Sequence, residues 1–154
     1  MAMIPKTLDE VLSYTHAFHE RLAYHLLQCQ GRQPSEREQM LLLHLAQQEK
    51  KLASTIAKLQ GAAHQGVLGT WYYEYTDRHP IAAFQPDSID FSDMDCDAIS
   101  ATIAELHDQL VDLYRHMHDR SESNSAKEFT AELLDIQCSQ AKLVSFDSGR
   151  VQEI

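Results

Sequence analysis

The chain has 154 residues, 44% of them hydrophobic, which suits one domain with a core of its own and is too apolar for a disordered segment. Its 13 basic and 23 acidic residues leave a net charge of −10, which repels phosphate backbones and anionic lipid, so neither nucleic acid nor a membrane surface is an expected partner. No apolar run approaches the roughly 18 residues of a membrane span, and Met1 to Lys6 lack the apolar core of a signal peptide.

Cys29, Cys96 and Cys138 are odd in number and far apart, which is neither a disulfide framework nor a paired metal knuckle. They read as small buried hydrophobes in a reducing, cytoplasmic setting.

The first helix is announced by Thr7-Leu-Asp-Glu10, a capping-box pattern. It is expected over about 7–30, with an inward row of Leu8, Leu12, Thr15, Leu22 and Leu26. His19 falls in that row and Glu20 points away from it. A second capping box, Ser35-Glu-Arg-Glu38, opens a helix over about 35–61. Its apolar row is Leu42, Leu45, Leu52, Ile56 and Leu59, and Glu49 lies only about 30° from the centre of that stripe. On the opposite side, Met40 and Leu43 lie about 150° from the core direction. Such residues need a cover, either the chain's own linker or a second copy in a homodimer.

The stretch over about 62–96 is first aromatic and then acidic. Trp71, Tyr72, Tyr73, Tyr75 and Phe84 are expected to pin it to the helices, and Trp71 to Tyr75 and Ile81 to Phe84 are the only, short, strand candidates. Asp93-Met-Asp-Cys-Asp97 lacks the glycine and terminal glutamate of a calcium loop and reads as solvated capping sequence.

The third helix should begin near Asp95 or Asp97 and run over about 97–119, with Ile99, Ile103, Leu106, Leu110, Leu113 and Met117 inward and His107 flanking them. Ser125-Ala-Lys-Glu128 is a third capping box. The fourth helix, about 125–146, turns Phe129, Leu133, Ile136, Leu143 and Val144 inward; Gln140 continues that row, with Gln137 beside it.

Connection lengths then predict the architecture of one all-α domain spanning 1–154. Short joints make helices one and two antiparallel, and likewise three and four. The long linker can carry the chain from one end to the other, making helices two and three parallel. Two antiparallel hairpins joined by a long crossover form the ferritin-like four-helix bundle rather than an up-and-down one.

A buried carboxylate without a partner is costly or titrates, so Glu49 needs company. In this architecture His19, Glu49, His107 and Gln140, one per helix, fall near the same level. His19 is the expected hydrogen-bond partner.

The topology, together with Ala46-Gln-Gln-Glu-Lys-Lys-Leu52, resembles the ferritin-like superfamily, and within it the rubrerythrin-type bundles. The resemblance implies a di-iron centre in which the second and fourth helices each carry Glu-x-x-His and the first and third each add a glutamate. Only Glu49 matches. Leu52 stands where the histidine would fall, Gln137 and Gln140 stand on the fourth helix, and no Glu-x-x-His occurs in the chain. The implied site is a degenerate di-iron site, without ferroxidase or peroxidase chemistry. A hemerythrin pattern is absent too, since His44 is misplaced relative to Glu49 and the fourth helix has no histidine.

There is no Gly-x-Ser-x-Gly and no phosphate loop. The expectation is therefore a non-catalytic binding or interaction protein, a homodimer without a cofactor, whose polar core layer sets helix register. The alternative is a metal-binding protein in iron handling or the oxidative-stress response, mononuclear with His19, Glu49 and His107 holding one Zn²⁺ or Fe²⁺, or weakly di-iron.

Overall fold

The computed structural model describes residues 6–72 and 85–153, with side chains as far as Ser139. It is all-helical, and no strand occurs among the described residues. Four long helices carry the chain: α1 (Leu8–Arg32), α2 (Glu36–Ala62), α3 (Cys96–Arg120) and α4 (Asn124–Glu153). A single helical turn, Gln65–Leu68, and two 3₁₀ turns, Pro86–Ser88 and Phe91–Asp93, lie in the linker. No helix is long and apolar enough to cross a membrane.

Local chemistry accounts for the helix starts. Thr7 accepts from the Glu10 amide at 3.2 Å, and the Glu10 carboxylate reaches back to the Lys6 amide at 3.0 Å. Asp95 accepts from the Ala98 amide at 2.8 Å, satisfying an otherwise orphaned donor of α3.

The other two boxes differ from expectation. The Ser35 hydroxyl makes no cap bond, although the Glu38 carboxyl is bonded to Ser35 and held below its ordinary pKa mainly by that bond. On α4 the cap is Ser123, not Ser125: its hydroxyl accepts from the Ala126 amide at 3.1 Å, and the helix begins at Asn124. The polar run Ser121–Ser125 offers several hydroxyls, and burying Ala126 selects this register. At the other ends, α1 continues through Gly31 to Arg32 and α4 runs past residue 146 to Glu153, because neither Gly31 nor Gly149 adopts a positive φ that would stop a helix.

α1 and α2 pack as an antiparallel pair. His16 donates from Nδ1 to the Ala53 carbonyl at 2.9 Å, and Gln60 donates to Asp9 and Ser13 near the start of α1. α3 and α4 pack likewise, with His118 reaching the Lys127 carbonyl at 3.0 Å and Thr130 at 3.2 Å. Between α2 and α3, Glu38 pairs with Cys96 and Glu49 with His107.

The linker is tied to both ends of α1. Near the start, the Leu8 amide donates to Thr70 O at 2.8 Å, the Tyr72 amide donates to Lys6 O at 2.7 Å, and Thr7 and Trp71 form an isolated bridge. Farther along, Arg21 pairs with Asp87 at 2.7 Å, His25 bonds the Ile89 carbonyl, and Gln33 donates to the carbonyls of Phe91 and Met94, each at 3.1 Å.

Tyr72, not Trp71, is the anchoring aromatic. Its ring is buried and its hydroxyl meets Ser121 at 2.8 Å, whereas Trp71 is exposed. One polar tip within reach of Ser121 allows Tyr72 to be buried without an unpaired group. Tyr73, Tyr75, Phe84 and the second strand candidate lie outside the described residues.

The core is built from the expected rows. Leu8, Leu12, Leu22 and Leu26 meet Leu41, Leu42, Leu45 and Ile56 and the apolar face of α3. Cys29 and Cys96 are buried as expected and Cys138 is half-buried; none is in a disulfide. Met40 and Leu43 remain 48% and 41% exposed, and the linker residues at 87–94 bond to α1 and its C-cap Gln33.

Asp95→Ala should cost about 0.5–2 kcal/mol by removing the α3 cap, whereas Ser35→Ala, at a position with no cap bond, should cost well under that. Urea unfolding of the two variants checks the order; equal losses would contradict the cap assignment.

Candidate metal centre

Near the middle of α1, His19 occupies the inward row one turn after Thr15, and both are fully buried. Near the middle of α2, Glu49 follows Leu45 and precedes Leu52 on the apolar face, and only 1% of it is exposed. On α3, His107 belongs to the buried row that includes Ile103 and Leu110. The helical period that buries the leucines therefore buries these three polar residues as well.

The three converge. His19 donates from Nδ1 to Glu49 Oε2, and His107 donates from Nε2 to Glu49 Oε1 at 2.5 Å. The two imidazole rings stand 6.1 Å apart, edge to face. One ligand atom from each residue lies within 4.8 Å of the others, and this is the one such group of His, Cys, Asp and Glu among the described residues.

Burial alone would push the Glu49 carboxyl up. The charges of His107 and His19, with their hydrogen bonds, outweigh burial and bring it down to about 2. The group is thus an ionised carboxylate at neutral pH, acting as acceptor only. This fixes a proton on the nitrogen of each imidazole that faces it. The far nitrogens, His19 Nε2 and His107 Nδ1, are buried with no partner among the described residues.

Gln137, on the fourth long helix, is a further buried polar side chain. It is 1% exposed and shares an inward row with Thr130 and Leu133. The expected order on α4 is therefore shifted: Gln137 lies in the row itself, while Ile136 is only half-buried. A core centred on Thr130, Leu133 and Gln137 (i, i+3, i+7) is as helical in period as one centred on Phe129, Leu133 and Ile136 (i, i+4, i+7), and packing chose the first. Gln137 Nε2 has no partner among the described residues. The Gln140 side chain lies outside them.

Other polar candidates go elsewhere. Glu20 is exposed and pairs with His16 at 3.1 Å. Glu105 and Asp108 are exposed. His25 serves the linker, His44 meets Gln48 at 3.4 Å, and His118 ties α3 to α4. Tyr114, fully buried on α3, is the group sequence reasoning missed. Burial pushes its hydroxyl up to about 12 while neighbouring Thr15 pulls it slightly back, and the two do not form a well-aligned hydrogen bond. Its helical row, shared with His107 and Leu110, was the available signal.

Two imidazoles and one carboxylate are a donor set suited to Zn²⁺ or Fe²⁺. The set fits one divalent ion and not two, because a single carboxylate cannot balance two cations. The unpartnered far nitrogens contrast with the usual pattern, in which a metal-bound imidazole donates its other N–H to a nearby acceptor.

Comparison of the chain with models of known protein families, with curated proteins and with solved structures finds no match.

The depressed Glu49 carboxyl predicts an acid dependence of the metal-free protein. Its ordinary value is 4.5 and its folded value about 2. Its contribution to stability is then complete above about pH 4.5 and lost as pH falls toward 2, on the order of 3 kcal/mol. Urea unfolding at pH 5 and pH 2.5 with chelator present should show a smaller acid loss in Glu49→Gln than in the native chain. The same loss in both would assign the acid sensitivity to other carboxyls.

Proposed function

We propose that this protein is a ferritin-like four-helix bundle that holds one divalent transition-metal ion on His19, Glu49 and His107. The observation that carries the reading is the convergence of these three buried side chains, from three different helices, with their ligand atoms within 4.8 Å. Two imidazoles arriving from separate helices supply, together with the carboxylate, three of the four positions of a tetrahedral shell.

The bundle topology is supported by the pairings. The α1–α2 and α3–α4 contacts are those of two hairpins. Glu38 with Cys96 and Glu49 with His107 share one sequence offset, 58, as parallel helices require. A linker bound to both ends of α1 suits a long crossover. A reducing cytoplasm suits three cysteines that are all free.

The function is binding rather than turnover. Each of the three side chains is at most 1% exposed, so nothing larger than a few atoms reaches the site without the helices parting. Iron handling or oxidant response is the setting in which such a one-ion site would serve.

A second reading keeps the same bundle without metal: a hydrogen-bonded layer that fixes register in a non-catalytic interaction protein. The exposed Met40 and Leu43 on α2 favour a homodimer in that case. Leu43→Glu should then abolish dimerisation seen by sedimentation while leaving the helical content unchanged.

Glu49→Gln separates the readings. Protein purified without a metal-binding tag should contain about one Zn²⁺ or Fe²⁺ per chain, and Glu49→Gln should contain almost none, by elemental analysis. Chelator should lower the Tm of the native protein and leave that of the variant unchanged. No metal in the native chain after incubation with either ion would leave the register reading.

A further inference from the structure

We propose that the metal on His19, Glu49 and His107 carries a fourth, exogenous ligand, a small monoanion such as hydroxide or a compact carboxylate, and that the Gln137 carboxamide donates to it. This rests on the metal reading of the triad and adds the class of molecule the site takes.

Three arguments converge. The first is coordination. Zn²⁺ and tetrahedral Co²⁺ take four ligands, and this chain supplies three from the triad. The second is charge. Two neutral imidazoles and one carboxylate leave a divalent ion with one positive charge in a buried core, where an unbalanced charge is costly. One monoanion cancels it; a neutral ligand would not.

The third argument is position. His118 meets Lys127 and Thr130 across the α3–α4 hairpin. Counting equal steps back along α3 and forward along α4 brings Gln137 opposite residues 108 to 111, within about one helical turn of His107. α2, which carries Glu49, also packs against α4. Gln137 is buried on the inward row, and its amide nitrogen, with two N–H groups, has no partner among the described residues. An unpaired buried amide donor costs about 1–3 kcal/mol, so a core glutamine at this level is explained by an acceptor that the described residues do not provide. Amide donors buried inside the core select an oxygen or nitrogen lone pair, and with the charge of the site hence an anion and not a cation or an apolar molecule.

The buried setting limits size. Hydroxide, formate or azide fits beside one carboxamide; a longer anion would have to displace Leu45 or Leu110, both in the closely packed core.

Co²⁺ and azide are the probes. The full chain is loaded with Co²⁺, whose visible bands report coordination, and titrated with azide at constant ionic strength. Azide should shift the bands of the native protein. Gln137→Leu should bind Co²⁺ about as tightly but azide about 10-fold or more weakly, the scale on which a residue bonded to a metal's ligand acts. Gln137→Glu, which brings its own negative charge to the fourth position, should bind Co²⁺ more tightly and no longer respond to azide. The second variant keeps the size and polarity of the side chain, so a poorly folded Gln137→Leu does not end the test. Unchanged bands in the native protein, or equal azide affinity in the native protein and Gln137→Leu, would overturn the fourth-ligand proposal while the metal site stands. Failure of the native chain to bind Co²⁺ at all would instead remove the metal reading, and this inference with it.

Discussion

Everything in the middle of this molecule depends on one ionised carboxylate in an apolar core. Glu49 sits among leucines on α2, where solvent cannot hydrate its charge. Two imidazoles, brought from α1 and α3, replace that water. The arrangement locks three helices together: sliding any one by a turn would separate its residue from the others by about 5.4 Å and leave a buried charge or a buried imidazole unpaired. A leucine at residue 49 would pack equally well in several registers; the charge tolerates one.

The linker reinforces this from outside. Its polar contacts with α1 come along the helix: backbone bonds at Leu8 and Thr70, then Arg21 to Asp87, His25 to Ile89 and Gln33 to Phe91 and Met94, with Phe91 buried in the core beside them. Gln33 lies just beyond the last turn of α1 and satisfies two linker carbonyls that would otherwise be buried without donors. Because the linker leads directly into the Asp95 cap, these bonds also set where α3 starts, and through its start the level that His107 reaches.

The same three residues hold protons as they stand, and on the proposed reading would hold a metal instead. With protons on the inner nitrogens, the cluster is a pair of hydrogen bonds to a carboxylate. With a divalent ion in their place, both imidazoles are neutral ligands and the carboxylate is the single charge. Both states fill the space between the same atoms, which is why helix packing alone is compatible with either and why metal content and acid response, rather than shape, distinguish them. The far nitrogens of His19 and His107, on the outer sides of this cluster, have no partner among the described residues. The Tyr114 hydroxyl is also without a partner among the described residues, whereas Thr15 and Thr130 bond carbonyls on their own helices.

Local sequence was sufficient for the helices. Breaker-free amphipathic stretches and the capping signals at Thr7 and Asp95 depend only on neighbours within a few residues, so they were legible. The inward position of Glu49 and the candidacy of His19 and His107 were legible for the same reason, since a 3.6-residue period assigns a face without knowing what it meets. What neighbours could not determine was choice among equivalents. Ser123 rather than Ser125 caps α4, because Ala126 had to be buried. Gln137 rather than Ile136 faces inward, because α4 rotates to suit the faces of α2 and α3. Tyr72 rather than Trp71 anchors the linker, because Ser121 stands within reach of its hydroxyl. Above all, the meeting of His107 with Glu49 joins residues 58 apart in sequence, and only the relative height of two packed helices, set by the linker and the core between them, brings both imidazoles onto one carboxylate.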